Sequence, residues 1–425
     1  MTVPPEFSRP STSPFTIAVI GGGIAGLSLT LGLLQHQISV TLYEAASKFG
    51  EVGAGVSFGP NASRAMKLIS PRIFEGFENR ATRNQWEDKS QVWFDFRYGE
   101  SCGGKRTIGE KIATLECEGG QASVHRAHFL DEMVQLLPDG VAKFGKRCVG
   151  YEQDGRHVVL KFSDGSTAEH SAAIGCDGIK SKMRTELLGG DNPASKAVYS
   201  GKYAYRGLIP MEKAEKLLGE ELAKNSQMYL GNHGHVLTFS IEKGRTMNVV
   251  AFSSSEQWEK EDWVVPMKKE DMFRDFEGWG DSVKEILSLT EKPDIWALFN
   301  QPHASTYYKG NVCLIGDAAH ATTPHQGAGA GMAIEDSYIL CNLLAEVKSA
   351  KGIEAAFRAY DAVRRPRSQK LVTTSREAGQ LYEFELEGSD PEAIRVNLLQ
   401  RMDWLWKHDL TADLAEAKEI LNKSV

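Results

Sequence analysis

A glycine-rich turn set between two short apolar runs constrains this chain more than any other feature. Ile17, Ala18, Val19 and Ile20 read as a buried parallel strand, and Gly21, Gly23 and Gly26 follow it as G-x-G-x-x-G. Leu27, Leu29, Leu31, Leu33 and Leu34 supply the apolar content of a helix, and a second strand, Ile38 to Tyr43, ends on Glu44. Each part has a physical job. Gly21 permits the tight turn, Gly23 lets a pyrophosphate approach the backbone, and Gly26 lets helix and strand pack closely. The helix N-terminus offers unpaired N–H groups and a positive dipole end to phosphates. Glu44 is placed to accept hydrogen bonds from an adenosine ribose, and its charge repels a 2′-phosphate. Glycines also crowd ordinary turns, so the triplet alone means little. Strand, glycines, helix, strand and acid in that order point to an ADP-containing dinucleotide.

Several classes fall away on composition. The 425 residues hold apolar material for two or three domains' worth of core, and the net charge of −7 comes from acids and bases mixed throughout. With no basic stripe, nucleic acid is not an expected partner. Residues 1–14, rich in Pro and Ser, read as a disordered tail and not as a signal peptide. There is no run of about 18 apolar residues, so no membrane span and a cytoplasmic location are expected. The six cysteines are scattered without a C-x-x-C pair and read as free thiols in a reducing compartment. A disulfide reductase would need a redox-active pair. No H-E-x-x-H, Cys/His cluster or EF-hand loop occurs, so no metal is expected.

Beyond Glu44, the loop Gly50–Asn61 is dense in glycine, with Gly55 assigned to the cofactor and a helix opened by Pro60 or Asn61. Gly55-Val56-Ser57-Phe58-Gly59 fits the hydrolase elbow G-x-S-x-G. That elbow needs its own strand-to-helix turn, and here the glycine spacing alone explains the match. A strand is expected at Gln91–Phe96. A helix is expected to open within Ser123–Leu130 and to run to Leu137. Arg126 falls near its start, where the dipole disfavours a cation unless an anion is also present. From Val141 to Cys176, Asp-Gly turns separate short alternating strands. The last strand ends in Asp177-Gly178, placed for a second contact to the same cofactor, although an Asx turn has the same signature. Residues 197–253 read as strands without helical crossovers, forming an antiparallel sheet with one covered face, a substrate lobe inserted into the nucleotide domain. Arg206 is a cation inside one of these strands and His235 begins another. Such residues are more often solvated or satisfied in a core than bound to a ligand.

The second informative stretch runs from Val312 to Met332. An apolar strand ends in Gly316-Asp317, a loop carries His320 and His325, and small residues open a helix reaching about Leu344. The acid suits a polyol hydroxyl. The Gly/Ala helix start presents bare N–H groups to a flat, electron-rich heterocycle. Helices are expected over Ile353–Glu377 and Glu392–Leu421, with Trp404 and Trp406 packing back on the core or on a second subunit. No second G-x-G-x-x-G follows a strand, so a second dinucleotide would be visited only transiently.

The fingerprint with Glu44, the Cys176-Asp177-Gly178 stretch and the Gly316-Asp317 stretch together resemble the single-component FAD-dependent aromatic monooxygenases, the group of para-hydroxybenzoate hydroxylase. Gly50–Asn61, Ser123–Leu130, Gly316–Asp336 and Arg401–Trp406 look most like salicylate hydroxylases. The resemblance implies an α/β fold: a Rossmann-like FAD-binding domain (15–80, 105–190, 300–375), an inserted antiparallel-sheet lobe (81–104, 191–299) and C-terminal helices (376–425). It implies that Gly21, Gly23, Gly26, Glu44, Gly55, Arg126, Asp177 and Asp317 bind FAD, with Asp317 on the ribityl chain. Gly329, Ala330 and Gly331 would face the isoalloxazine. NADH or NADPH would reduce the flavin, which takes up O₂ as a C4a-hydroperoxide and hydroxylates a phenol-activated ring. For salicylate the products would be catechol and CO₂. Arg206 is then the expected carboxylate anchor and His325 the expected proton handler, with His320 structural and His235 a wall position. A small aromatic substrate and O₂ are the expected partners, for a monomer or homodimer. Two other readings are another phenol, such as a polyketide resorcylate, and a non-catalytic nucleotide-binding scaffold.

Overall fold

A computed structural model describes residues 7–9, 13–50, 55–101, 106–266, 268–290, 294–388 and 390–423. Thr16–Ile20 lies inside a six-stranded sheet ordered Tyr308–Lys309, Val312–Leu314, Ala172–Gly175, Thr16–Ile20, Ser39–Tyr43, Ala142–Lys143. All neighbours are parallel except the first pair. A parallel sheet is covered on both faces and carries near-continuous apolar strands. Ile17, Ala18 and Val19 accordingly have no exposed surface. Helix Ile24–Gln35 lies against helix Gly329–Glu346, so the two informative stretches of sequence meet in space.

The second sheet has eight strands, ordered Val264–Pro266, Asp294–Asn300, Val198–Pro210, Thr246–Ser254, Gly234–Ile241, Gln227–Gly231, Val92–Tyr98, Lys111–Glu116. Neighbours are antiparallel apart from Gln227–Gly231 with Val92–Tyr98. Its inner face, with Leu237, Phe239, Val250 and Phe252, joins one core; its outer face, with Tyr205, Tyr229, Val249 and Ala251, joins another. The 30-residue helix Ile353–Tyr382 ties the halves together. Phe357 and Tyr360 belong to the nucleotide-domain core, while Leu371, Ala378 and Leu381 belong to the core on the inner face of the second sheet.

Several expectations are corrected. Residues 197–253 do contain helices, Met211–Leu218 and Glu220–Lys224. They carry the chain past two strands of the sheet to Gln227–Gly231, a step no hairpin could make. Both faces of that sheet are covered, so all eight residues of Gly234–Ile241 are buried. The helix expected from Ser123 is preceded by a strand, Ala122–His125, paired with Gly55–Phe58, and begins only at Arg126, ending at Val134. The C-terminal run breaks into Pro391–Gln400, Asp403–Trp406 and Leu410–Asn422, the first and last capped by Asp390 and Asp409. In the expected tail, Phe7 is buried in the nucleotide-domain core at 2 % exposure, while 1–6 and 10–12 lie outside the described residues. So do Glu51–Ala54 of the glycine-dense loop.

Candidate active site

The first turn is built for close approach. Gly21 has φ +106°, and a Cβ there would stand 2.4 Å from the carbonyl oxygen of Cys176. At Gly26 a Cβ would stand 1.9 Å from the Gly21 carbonyl oxygen, so no larger residue fits. Glu44 is oriented by its backbone neighbours: Gly22 N–H donates to Oε2 and Ala46 N–H to Oε1, each at 2.7 Å. A carboxylate oxygen has a second lone pair, so each remains open to a ribose hydroxyl. Arg126 is the first residue of its helix, and its guanidinium lies 3.6 Å from where a Gly23 Cβ would be. A cation at a helix start beside a second helix start makes an anion site of the gap, which fits the pyrophosphate of FAD.

From this turn a cavity of about 310 Å³ opens toward the inner face of the eight-stranded sheet. Asp317, Gly329 and Ala330 line its nucleotide side, and Gly55 and Arg126 its edge. Its floor follows from strand register. Arg206 is the partner of Val250, Leu237 also faces Val250, and Phe239 faces Asn248, so these side chains share one face. Trp93, Phe94, Phe252 and Trp296 complete an apolar wall.

Some polar side chains here carry buried nitrogens without a hydrogen-bond partner among the described residues. Arg206 Nε is buried without a hydrogen bond, and its guanidinium sits 4.6 Å over the Trp296 ring. Burial, with the nearby charge of Arg126, lowers its pKa to about 10, so it stays cationic at neutral pH. His325 is 5 % exposed, and neither ring nitrogen has a partner. Its ring lies flat against Gly379, where a Cβ would be 2.9 Å from two of its ring atoms. Burial, and then the neighbouring His235, pull the His325 pKa down to about 3, so the imidazole rests neutral.

Seven of the expected site residues therefore meet at one cavity: Gly55, Arg126, Arg206, Asp317, His325, Gly329 and Ala330. Two go elsewhere. Asp177 commits its carboxylate to Ser181 Oγ (2.5 Å) and the N–H groups of Lys182 (2.8 Å) and Met183 (3.1 Å), holding the start of helix Lys182–Leu188. Gly331 is buried against the neighbouring helix Pro60–Ile69, where a Cβ would meet Ala62 at 2.9 Å. Sequence reasoning missed Asn248, a polar residue beside Val250 and Phe252 on the inward face of its strand.

Behind the cavity, charges are fully answered. Glu335 accepts from Arg364 (2.8 Å), Arg367 (2.8 Å) and Asn61 (2.7 Å). Asp336 accepts from Arg364 (2.9 Å) and the Gly316 N–H (3.1 Å) and pairs with His320 (2.6 Å). Burial pushes both carboxyls up, but the two arginines for Glu335, and His320 with Arg364 for Asp336, hold each to about 2. His320 is structural, as expected. His235 pairs through Nδ1 with Glu383 Oε1 at 3.1 Å and stacks on Phe252. With His325 these form the group of ligand-type side chains closest to a metal site among the described residues, their atoms within 4.8 Å. Glu383 is already bound by Lys202 as well, so the group is an ion-pair cluster.

The Rossmann-like sheet and the apolar cavity beside it suit an FAD-binding enzyme with a small-molecule substrate. Residues 120–375 match the family described as an FAD binding domain. The chain is 44% identical to the 6-methylsalicylate 1-monooxygenase of Aspergillus terreus over 93% of its own length and 90% of the relative's. It is 42% identical to a salicylate hydroxylase of Pseudomonas putida, covering 95% and 94%. A solved salicylate hydroxylase substrate complex superposes with a TM-score of 0.85 at 39% identity, covering 96% of this chain and 98% of that one. The chain belongs to the FAD-dependent aromatic monooxygenases of the para-hydroxybenzoate hydroxylase group and is closely related to salicylate hydroxylases. The scaffold reading is thereby set aside.

Proposed function

We propose that the protein converts salicylate to catechol and CO₂ with NADH or NADPH and O₂. The observation that carries this reading is Arg206, a cation in the floor of an apolar cavity with no anionic partner among the described residues. A buried cation is retained where something answers it, and a substrate carboxylate does so. The named relatives act on salicylate and 6-methylsalicylate, both single-ring hydroxy acids. The volume points the same way. At about 310 Å³ the cavity is at the small end for ligand sites, and a flavin ring beside Gly329 and Ala330 would take up one side of it. A bulky polyketide resorcylate fits less well.

When bound, FAD accepts hydride from the reduced nicotinamide and activates O₂. The chain does the rest. Arg126 and the helix starts would hold the pyrophosphate, Glu44 the ribose and Asp317 the ribityl chain. Arg206 takes the carboxylate, and the aromatic walls exclude water and hold the ring plane. His325, neutral at rest, accepts the phenol proton at a ring nitrogen. The entering carboxylate raises its pKa from the resting value, so binding prepares the base. Deprotonation enriches the carbon bearing the carboxylate, and loss of CO₂ restores the aromatic ring. Salicylate, reduced nicotinamide, O₂ and two protons give catechol, CO₂, oxidised nicotinamide and water.

Purified flavoprotein with NADH or NADPH and a panel of salicylate, 6-methylsalicylate, a resorcylate and phenol tests the reading. Nicotinamide loss, O₂ uptake and CO₂ release are followed together. Equal CO₂ and catechol from salicylate is expected. Stimulation by the resorcylate alone, without CO₂, contradicts it.

A further inference from the structure

One polar group in the cavity floor has no task in that mechanism. Asn248 is 3 % exposed, and its Nδ2 is buried without a hydrogen-bond partner. Its neighbours on the same sheet face are Phe239 across the strand and Val250 along it. A leucine of similar volume would suit those surroundings better, since a buried donor with no acceptor is destabilising. The acceptor therefore comes from what the cavity binds. Register places it: Val250 is the partner of Arg206, so Asn248 lies on the diagonal from Arg206, within reach of one small ligand.

We propose that Asn248 is the second donor of a carboxylate clamp and sets the specificity of the site. Arg206 supplies the charge, and Asn248 Nδ2 donates to the other carboxylate oxygen. One contact leaves the ring free to swing about the carboxylate. Two donors on adjacent strands fix its plane, and with it the carbon turned toward Gly329 and Ala330. Asn248 thus selects aromatic carboxylates over other phenols and fixes the carbon attacked. This rests on the salicylate reading above.

The test titrates FAD-loaded wild type, Asn248→Asp and Asn248→Leu with salicylate and with its neutral amide, salicylamide, following the flavin absorbance change. Asn248→Asp keeps the shape but sets carboxylate against carboxylate, so salicylate binding weakens roughly 100-fold or more while salicylamide changes little. Asn248→Leu, which cannot repel, weakens salicylate by about 5- to 150-fold. It also raises the share of nicotinamide oxidation that ends in hydrogen peroxide and lowers the share that ends in catechol. A merely structural role would weaken both ligands equally in both variants, and that result overturns the clamp. So does unchanged salicylate affinity in flavin-replete variants. Wild type that binds salicylamide or phenol but no aromatic carboxylate overturns the functional reading and the clamp together.

Discussion

The two sides of helix Gly329–Glu346 handle charge in opposite ways. Behind it, Glu335 and Asp336 are buried and each is met by an arginine at 2.8 or 2.9 Å. In front, Arg206 Nε, Asn248 Nδ2 and both nitrogens of His325 are buried with nothing to meet them. Both arrangements cost desolvation. Only the first recovers that cost within the fold, so the first is structure, and the second waits for a ligand. A chain selected for stability alone would have filled the front with leucine.

The largest expected effect breaks the paired side. Arg364→Met removes one of the two arginines at Glu335 and the arginine at Asp336, and lowers the unfolding free energy by about 3–5 kcal/mol, measured by denaturant titration. Acid probes the same side. Glu335 and Asp336 are held near 2 in the folded chain, below their unfolded values of about 4. Their contribution, about 2–3 kcal/mol each, is complete above those values and lost as pH falls toward 2. His325, held near 3, acts in the same direction, because the unfolded chain takes a proton near 6.5 that the folded chain refuses. Unfolding midpoints should therefore fall below about pH 6.5 and fall most steeply below about 4. A pH-independent midpoint would refute this. On the open side, Gly379→Ala pushes a methyl into the His325 ring. It should cut kcat by roughly 10- to 100-fold with a smaller change in KM, since small misplacements of reacting groups are costly. The smallest effect is at the surface: Lys418→Ala removes an exposed pair with Glu346 and should change stability by less than about 1 kcal/mol.

What could be read from the sequence was what is local. Gly21 to Glu44 and Gly316 to Ala330 carry their geometry within a few dozen residues, and their strands and helices form where expected. Asp177 is ambiguous in the sequence, because an acid between strand and helix serves equally well as a helix cap or a cofactor ligand; in the fold it accepts from the first N–H groups of helix Lys182–Leu188. Gly331 reads in the sequence as a flavin contact, and in the fold its missing Cβ also leaves room for Ala62 on a neighbouring helix. The cavity floor was the least legible. Its strands come from residues 92–98 and 198–300, and the inward face of Thr246–Ser254 is defined only once the helices covering the outer face are known. Glu383 meets His235 from 148 positions away, a contact no local pattern encodes.

The most direct measurement is the thermal midpoint of the flavoprotein with and without salicylate, for wild type and Arg206→Met. An unanswered cation contributes to binding and little to the fold, so the variant should match or slightly exceed wild type without ligand. Salicylate should raise the wild-type midpoint by several degrees and leave the variant unmoved. A variant that unfolds early without ligand, or that salicylate stabilises as well as wild type, would contradict the division between paired structure and unpaired function.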